Sequence, residues 1–102
     1  MEMKNKEMYQ KQAELKLQEI GAKIDELKAR SDGLAARKKQ RYYKRIQKLQ
    51  AEKNRLSERV QRMKQTSEDA WGEMKKGIDK SLKELEGGYD KAASKIKEIV
   101  SS

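Results

Sequence analysis

The chain has no cysteine, no histidine, no proline and no phenylalanine, and one tryptophan in 102 residues. Without cysteine there is no disulfide, no thiolate nucleophile and no thiolate metal site. Without histidine, imidazole bases, Ser-His-Asp triads and the common zinc sites drop out. Carboxylate and lysine chemistry stays formally open, but no stretch reads as the wall of a pocket. The expectation is therefore a non-enzymatic protein with no catalytic, cofactor or metal residues. Long apolar runs are missing as well. Nothing approaches the ~18 residues of a membrane span, and MEMKNKEMYQ lacks the apolar stretch of a secretory signal. The expected setting is soluble and cytoplasmic, without membrane insertion.

Leu, Ile and Val total 16 residues, too few for a thick globular core. Ala, Glu, Lys, Leu and Arg make up 55 residues, the composition of long helices and coiled coils. Charged residues are 42% of the chain and the net charge is +9. That excess is local. Residues 31–66 carry 12 basic and 3 acidic side chains, whereas residues 1–30 and 67–102 are each within one charge of neutral.

Apolar residues recur at helical spacing. Ala13, Leu17, Ile20, Ile24 and Leu27, then Ser31 and Leu34, step by fours and threes, as along a coiled-coil seam. Glu7–Lys11, Glu19–Lys23 and Glu26–Arg30 are acid-before-base pairs at i,i+4, which support a helix from outside. A second seam runs through Tyr42, Ile46, Leu49, Lys53, Leu56, Val60 and Met63. The two are out of phase by one residue, and the slip falls at Ser31-Asp32-Gly33-Leu34-Ala35. Either Gly33 takes a left-handed conformation and ends a helix, or the helix absorbs the slip as an eleven-residue step. Further on, Thr66-Ser67-Glu68-Asp69 reads as a helix start, with Thr66 capping and the acids on the positive end of the dipole. Trp71, Met74, Ile78, Leu82, Leu85, Tyr89, Ala92, Ile96 and Ile99 then form one stripe. It keeps phase across Gly87-Gly88.

These patterns predict an all-α, single elongated helical domain over residues 1–102. Its preferred form is a long helix of about 3–64 turning back into a helix of about 68–100, an antiparallel coiled-coil hairpin. The alternative is an up-down-up three-helix bundle with an extra turn at 31–33. In the hairpin, the seam at residues 13–27 would lie bare, which points to a homo-oligomer or a partner helix.

KIDELKAR (23–30), the K-x-x-x-Y-Y-x-x-I-x-x-L pattern of 38–49 and SEDAWGEMKKGIDKSLKELEGGYDKAASKI (67–96) resemble a family of small bacterial coiled-coil, stress-response-type proteins. The resemblance covers most of the chain, and S-x-D-A-W-x-x-M-K-x-G is its most specific part. It implies a helical protein of no established molecular activity and transfers no catalytic residue. ARKKQRYYKRIQKLQ departs from the family, being more basic than its relatives there.

One segment carries chemistry of its own. Arg37, Lys38, Lys39, Arg41, Lys44, Arg45 and Lys48 surround Tyr42 and Tyr43. Lysine and arginine neutralise phosphates and release counterions, and an aromatic ring can stack on an exposed base. Tyr42 falls on the seam and is expected in the core, leaving Tyr43 as the exposed aromatic. Trp71 is expected to pack on the preceding helix, and Met1, Met3 and Met8 to belong to a frayed terminus. Two function classes follow. One is a coiled-coil structural or interaction protein, stress-associated by resemblance. The other binds nucleic acid or another polyanion, independently of sequence, through residues 37–48.

Overall fold

The computed structural model describes residues 5–67 and 69–101, and every regular element among them is helical. Helix α1 is Asn5–Ser31, α2 is Ala36–Arg62, and α3 is Trp71–Ser101; a 3-10 turn at Met63–Gln65 follows α2 directly. The all-α expectation holds. The long hairpin gives way to the expected alternative, an up-down-up three-helix bundle turning after Ser31, because α1 and α2 are separate helices. The molecule measures 54 × 21 × 16 Å, well short of the ~90 Å that an unbroken helix over 3–64 would reach.

Burial accounts for the break. Leu17, Ile20, Ile24 and Leu27 are 3%, 5%, 0% and 1% exposed, all within this one chain. In a continuous helix they would face water. Folding α1 back buries them at roughly 1.5–3 kcal/mol each, against a few helical hydrogen bonds at about 1 kcal/mol apiece. The out-of-phase seams are what a chain needs if each is to face the same core from a different helix. The bare seam that pointed to a second chain is therefore covered.

The turn itself is local hydrogen bonding. The Ser31 hydroxyl, fully buried on the seam, donates to the Lys28 carbonyl oxygen at 2.7 Å. Gly33 N–H donates to Arg30 and Leu34 N–H to Ser31, a tightening of the last turn. Ala35 is extended at φ −59°, ψ 149°, and its carbonyl accepts from Lys39 N–H at 2.8 Å to open α2. No described glycine has a positive φ. The left-handed Gly33 is thus corrected: extended backbone at Ala35 makes the corner.

The second connection also differs from expectation. Thr66 is extended, at φ −86°, ψ 139°. Its hydroxyl donates back to the Arg62 carbonyl oxygen at 3.1 Å and lies 3.0 Å from the Met74 sulfur. It closes α2 rather than capping α3. The first α3 bonds instead reach the Ser67 carbonyl, from Ala70 and Trp71 N–H, both at 3.1 Å. Of the two acids in the expected start, Asp69 is exposed before the first turn of α3 and Glu68 lies outside the described residues. Helix α3 then runs unbroken through Gly87-Gly88, as its phase requires.

Contacts between helices set the topology. Tyr9 meets Asp79 and Lys23 lies over the Tyr89 ring, so α1 and α3 run parallel. Gln61 donates to Glu14 and Arg59 to Ser81, so α2 runs antiparallel to both. The three seams meet in one core. Its one charged seam position, Lys53, is half-buried where α1 offers Gly21; a Cβ there would lie 3.3 Å from Lys53 Cε. Of the outer ion pairs, Glu26–Arg30 closes at 2.9 Å, while Lys23 sits over Tyr89 instead.

Candidate polyanion-binding face

Helix α2 buries Tyr42, Ile46, Leu49, Leu56 and Val60 against the other two helices. At 3.6 residues per turn, the side chains on its far side are then decided by the sequence. Arg37, Arg41, Lys44 and Lys48 lie on that side and are all exposed. The same line continues beyond the predicted segment. Arg41, Lys48, Arg55 and Arg62 are spaced by sevens, two turns apart, and every one is exposed. From Arg37 to Arg62 the row covers about 38 Å at 1.5 Å per residue. None of these six cations is in an ion pair with a described residue.

A second row accompanies the first. Gln40, Gln47, Asn54 and Gln61 stand one residue ahead of a row member at each step, and all are exposed. Gln61 ties the row to α1 by its bond to Glu14 at 3.1 Å. Asn54 lines the groove between α1 and α2, and Arg55 lines the one between α2 and α3, with Glu52 and Glu84 as its acidic neighbours. Between the rows the solvent side of α2 presents Ala51 and one carboxylate, Glu58. Cations that hydrogen-bond phosphate and amides that accept or donate at sugar and base edges are thus side by side.

The eight predicted residues do not stay together. Arg37, Arg41, Lys44 and Lys48 form the row. Lys38 is exposed but stands four residues before buried Tyr42, on the seam side of the helix, and exposed Arg45 turns toward α3, where it lines a groove with Asp90, Lys91, Ser94, Lys95 and Glu98. Lys39 and Tyr43 are engaged elsewhere. The Tyr43 hydroxyl donates to Asp32 Oδ1, Lys39 Nζ lies 3.7 Å from the same oxygen, and the ammonium sits 5.5 Å from the Tyr43 ring centre. This clasp staples the first turns of α2 onto the α1–α2 corner. Tyr43 is half-buried against the core, so the expectation of a free aromatic is corrected. Arg55 and Arg62 were missed, although the seven-residue repeat carrying them was readable.

Tyr42 is in the core, as its seam position requires, at 3% exposure. Its hydroxyl is sealed near the Ile96 backbone without a hydrogen-bond partner; the Ile96 N–H belongs to the α3 ladder. Burial raises the phenol's pKa above the usual tyrosine value, opposed first by the nearby Ile96 backbone and then by Arg45. At the opposite end of the bundle, Trp71 packs on Tyr9 of α1, with ring centres 6.3 Å apart, rather than on the preceding helix alone. Lys75 Nζ lies 5.4 Å from the Tyr9 ring centre and 5.9 Å from that of Trp71. Tyr9 donates to Asp79 at 2.5 Å, and burial, reinforced by that bond, raises its pKa well above the ordinary value. Met8 is 47% exposed on α1; Met1 and Met3 lie outside the described residues.

Among the described residues no group of three or more acidic, histidine or cysteine side chains is placed to hold a metal ion. Among the same residues no helix is long and apolar enough to cross a membrane. The chain matches no protein-family model, no curated protein and no solved structure. Geometry and charge therefore carry the functional argument.

Proposed function

We propose that this chain is a non-enzymatic nucleic-acid-binding protein that holds the phosphate backbone along the solvent face of α2. The observation that carries this reading is the row Arg37–Arg41–Lys44–Lys48–Arg55–Arg62, exposed, unpaired among the described residues and fixed on a packed helix. Each phosphate neutralised releases condensed counterions, so such a row binds strongly at low salt and carries no sequence information. An anionic membrane surface fits less well, because surface-lying helices insert an apolar face beside their charges. The apolar face of α2 is inside the bundle. A self-associating coiled coil also loses its ground, since the α1 seam that invited a second chain is buried by α2 and α3.

The test is binding of a fluorescent 20-base-pair DNA as salt is raised from 50 to 200 mM, with anionic vesicles in parallel. Six phosphate contacts imply a slope of about −5.4 in log K against log salt on duplex DNA. No retention of this DNA or of the matching RNA at 50 mM salt, or retention on vesicles alone, defeats the proposal.

A further inference from the structure

The row is straight, rigid and free of aromatic rings, and those three properties bear on what form of nucleic acid it fits. Helix α2 is locked in place by its buried side along its whole length, so the cations are presented on a fixed line rather than on a mobile tail. Proteins that take single strands combine a cationic groove with exposed rings on which bases stack, at about 1–3 kcal/mol per base. Here each aromatic side chain is committed elsewhere. Tyr42 is buried, Tyr43 is held by Asp32, and Tyr89 lies half-buried beneath Lys23. Tyr9 and Trp71 share Lys75 at the Arg62 end of the bundle, but on α1 and α3 rather than on α2. No ring stands on the solvent face of α2.

A duplex compensates for what stacking would supply. It carries one charge per about 1.7 Å of axis, and it stays straight over lengths far beyond the row, its persistence length being about 50 nm. A single strand must be straightened along the row with no stacking in return. On charge alone, six contacts give slopes of about −5.4 for a duplex and about −4.2 for a single strand, a gap of roughly tenfold in affinity at 0.1 M salt. The flanking amides Gln40, Gln47 and Asn54 suit phosphate and sugar oxygens at the groove edge.

We infer that the ligand of this face is double-stranded nucleic acid, held through its backbones along the full ~38 Å from Arg37 to Arg62. This rests on the nucleic-acid reading above and narrows it to a paired form and a longer footprint than residues 37–48. The geometry of phosphates is shared by DNA and RNA duplexes, and both belong in the test.

The experiment measures anisotropy of labelled 20-base-pair DNA, 20-base-pair RNA and matching single strands from 50 to 200 mM salt. At least one duplex is expected to bind about tenfold more tightly than its own single strand at 0.1 M salt, and the preferred sugar names the source. Arg55→Gln with Arg62→Gln should flatten the duplex slope by about 2, and Arg55→Lys with Arg62→Lys should restore it. Circular dichroism checks that both variants remain helical; the lysine pair carries the test if the glutamine pair unfolds, its slope staying at the wild-type value. Equal or tighter binding of single strands overturns the duplex inference and leaves nucleic-acid binding standing. An unchanged slope in a folded Gln pair overturns the long footprint. No binding of any strand at 50 mM salt overturns both.

Discussion

Helices α2 and α3 have the same task on the inside and different faces outside. Both bury an apolar stripe, within which Ile46 and Ile78 are 1% and 0% exposed. On the outside α3 alternates lysine with Glu73, Glu84, Glu86, Asp90 and Glu98. Helix α2 has eleven basic residues between 36 and 62 against two acids, Glu52 and Glu58, and six of the eleven form the exposed row. Burial cannot distinguish the two patterns, because an exposed lysine and an exposed glutamate are equally compatible with a helix that packs on its other face. That face, with Glu58 as its one carboxylate, also places Arg37 beside Arg41 and Lys44 beside Lys48 at i,i+4, which costs a few tenths of a kcal/mol per pair. An outer face more costly than its neighbour's is best understood through what it meets.

The largest effect expected from breaking that contrast is on binding. Changing Arg37, Arg41, Arg55 and Arg62 together to Gln should weaken duplex binding by roughly a thousandfold or more at 0.1 M salt. Changing Lys76, Lys80 and Lys83 on α3 to Gln should weaken it by less than about threefold, since those lysines stand among acids. Equal losses from the two sets in anisotropy titrations would erase the distinction between the faces.

The insides should respond alike. Ile46→Ala and Ile78→Ala each remove a fully buried branched side chain and should cost about 2–5 kcal/mol in urea unfolding. The folded fraction of either variant should bind as the wild type does.

Tyr42→Phe is expected to stabilise. An unsatisfied buried hydroxyl costs about 1–3 kcal/mol, and phenylalanine keeps the shape. A gain of about 1 kcal/mol would raise Tm by about 4–8 °C. The pH dependence follows from the same group. Folding raises the Tyr42 and Tyr9 phenol pKa values above their unfolded values. The native chain therefore holds its phenolic protons more tightly than the unfolded chain. This contribution is fully present below about pH 10 and is lost as pH rises through the raised values. Alkaline thermal melts should show stability falling less steeply in Tyr42→Phe than in the wild type; equal slopes would remove this group from the account.

The smallest effect separates adjacent glycines in α3. Gly87→Ala meets nothing within 4 Å and should gain about 0.5–1 kcal/mol, because alanine is the better helix former. At Gly88 a Cβ would come 3.1 Å from Leu49 Cδ2. There the gain should vanish as Leu49 is displaced. Chemical denaturation of the two variants compares them directly, and equal gains would mean that α2 and α3 are less closely packed at this level.

Much of this was readable from residue order. The three seams name the buried residues almost one for one, from Ala13 to Ile96, because a helix with few apolar residues has little choice about which side to bury. The continuity of α3 through Gly87-Gly88 follows from phase. Being polar, Gln10 was not named by the seams, although it lies three residues before Ala13 on the phase of the first and is buried with it. The clasp of Tyr43 and Lys39 on Asp32 was not readable either. It joins residues eleven and seven apart across a corner whose shape the seams leave open.

Spacing and composition alone determined that the chain is helical, which residues turn inward, and that positive charge gathers in the middle third. These are local properties, set by 3.6-residue periodicity and by side-chain type. Only the tertiary structure decided between a long hairpin and a bundle. The choice turns on whether the seam of α1 finds apolar surface within its own chain, and that burial outweighs the few hydrogen bonds lost at residues 32–35. The same decision removed Lys39 and Tyr43 from the basic face, while the alignment of Arg55 and Arg62 with Arg41 and Lys48 follows from their seven-residue spacing along one helix. Which charges stand together is a consequence of where the helix ends and which side it buries.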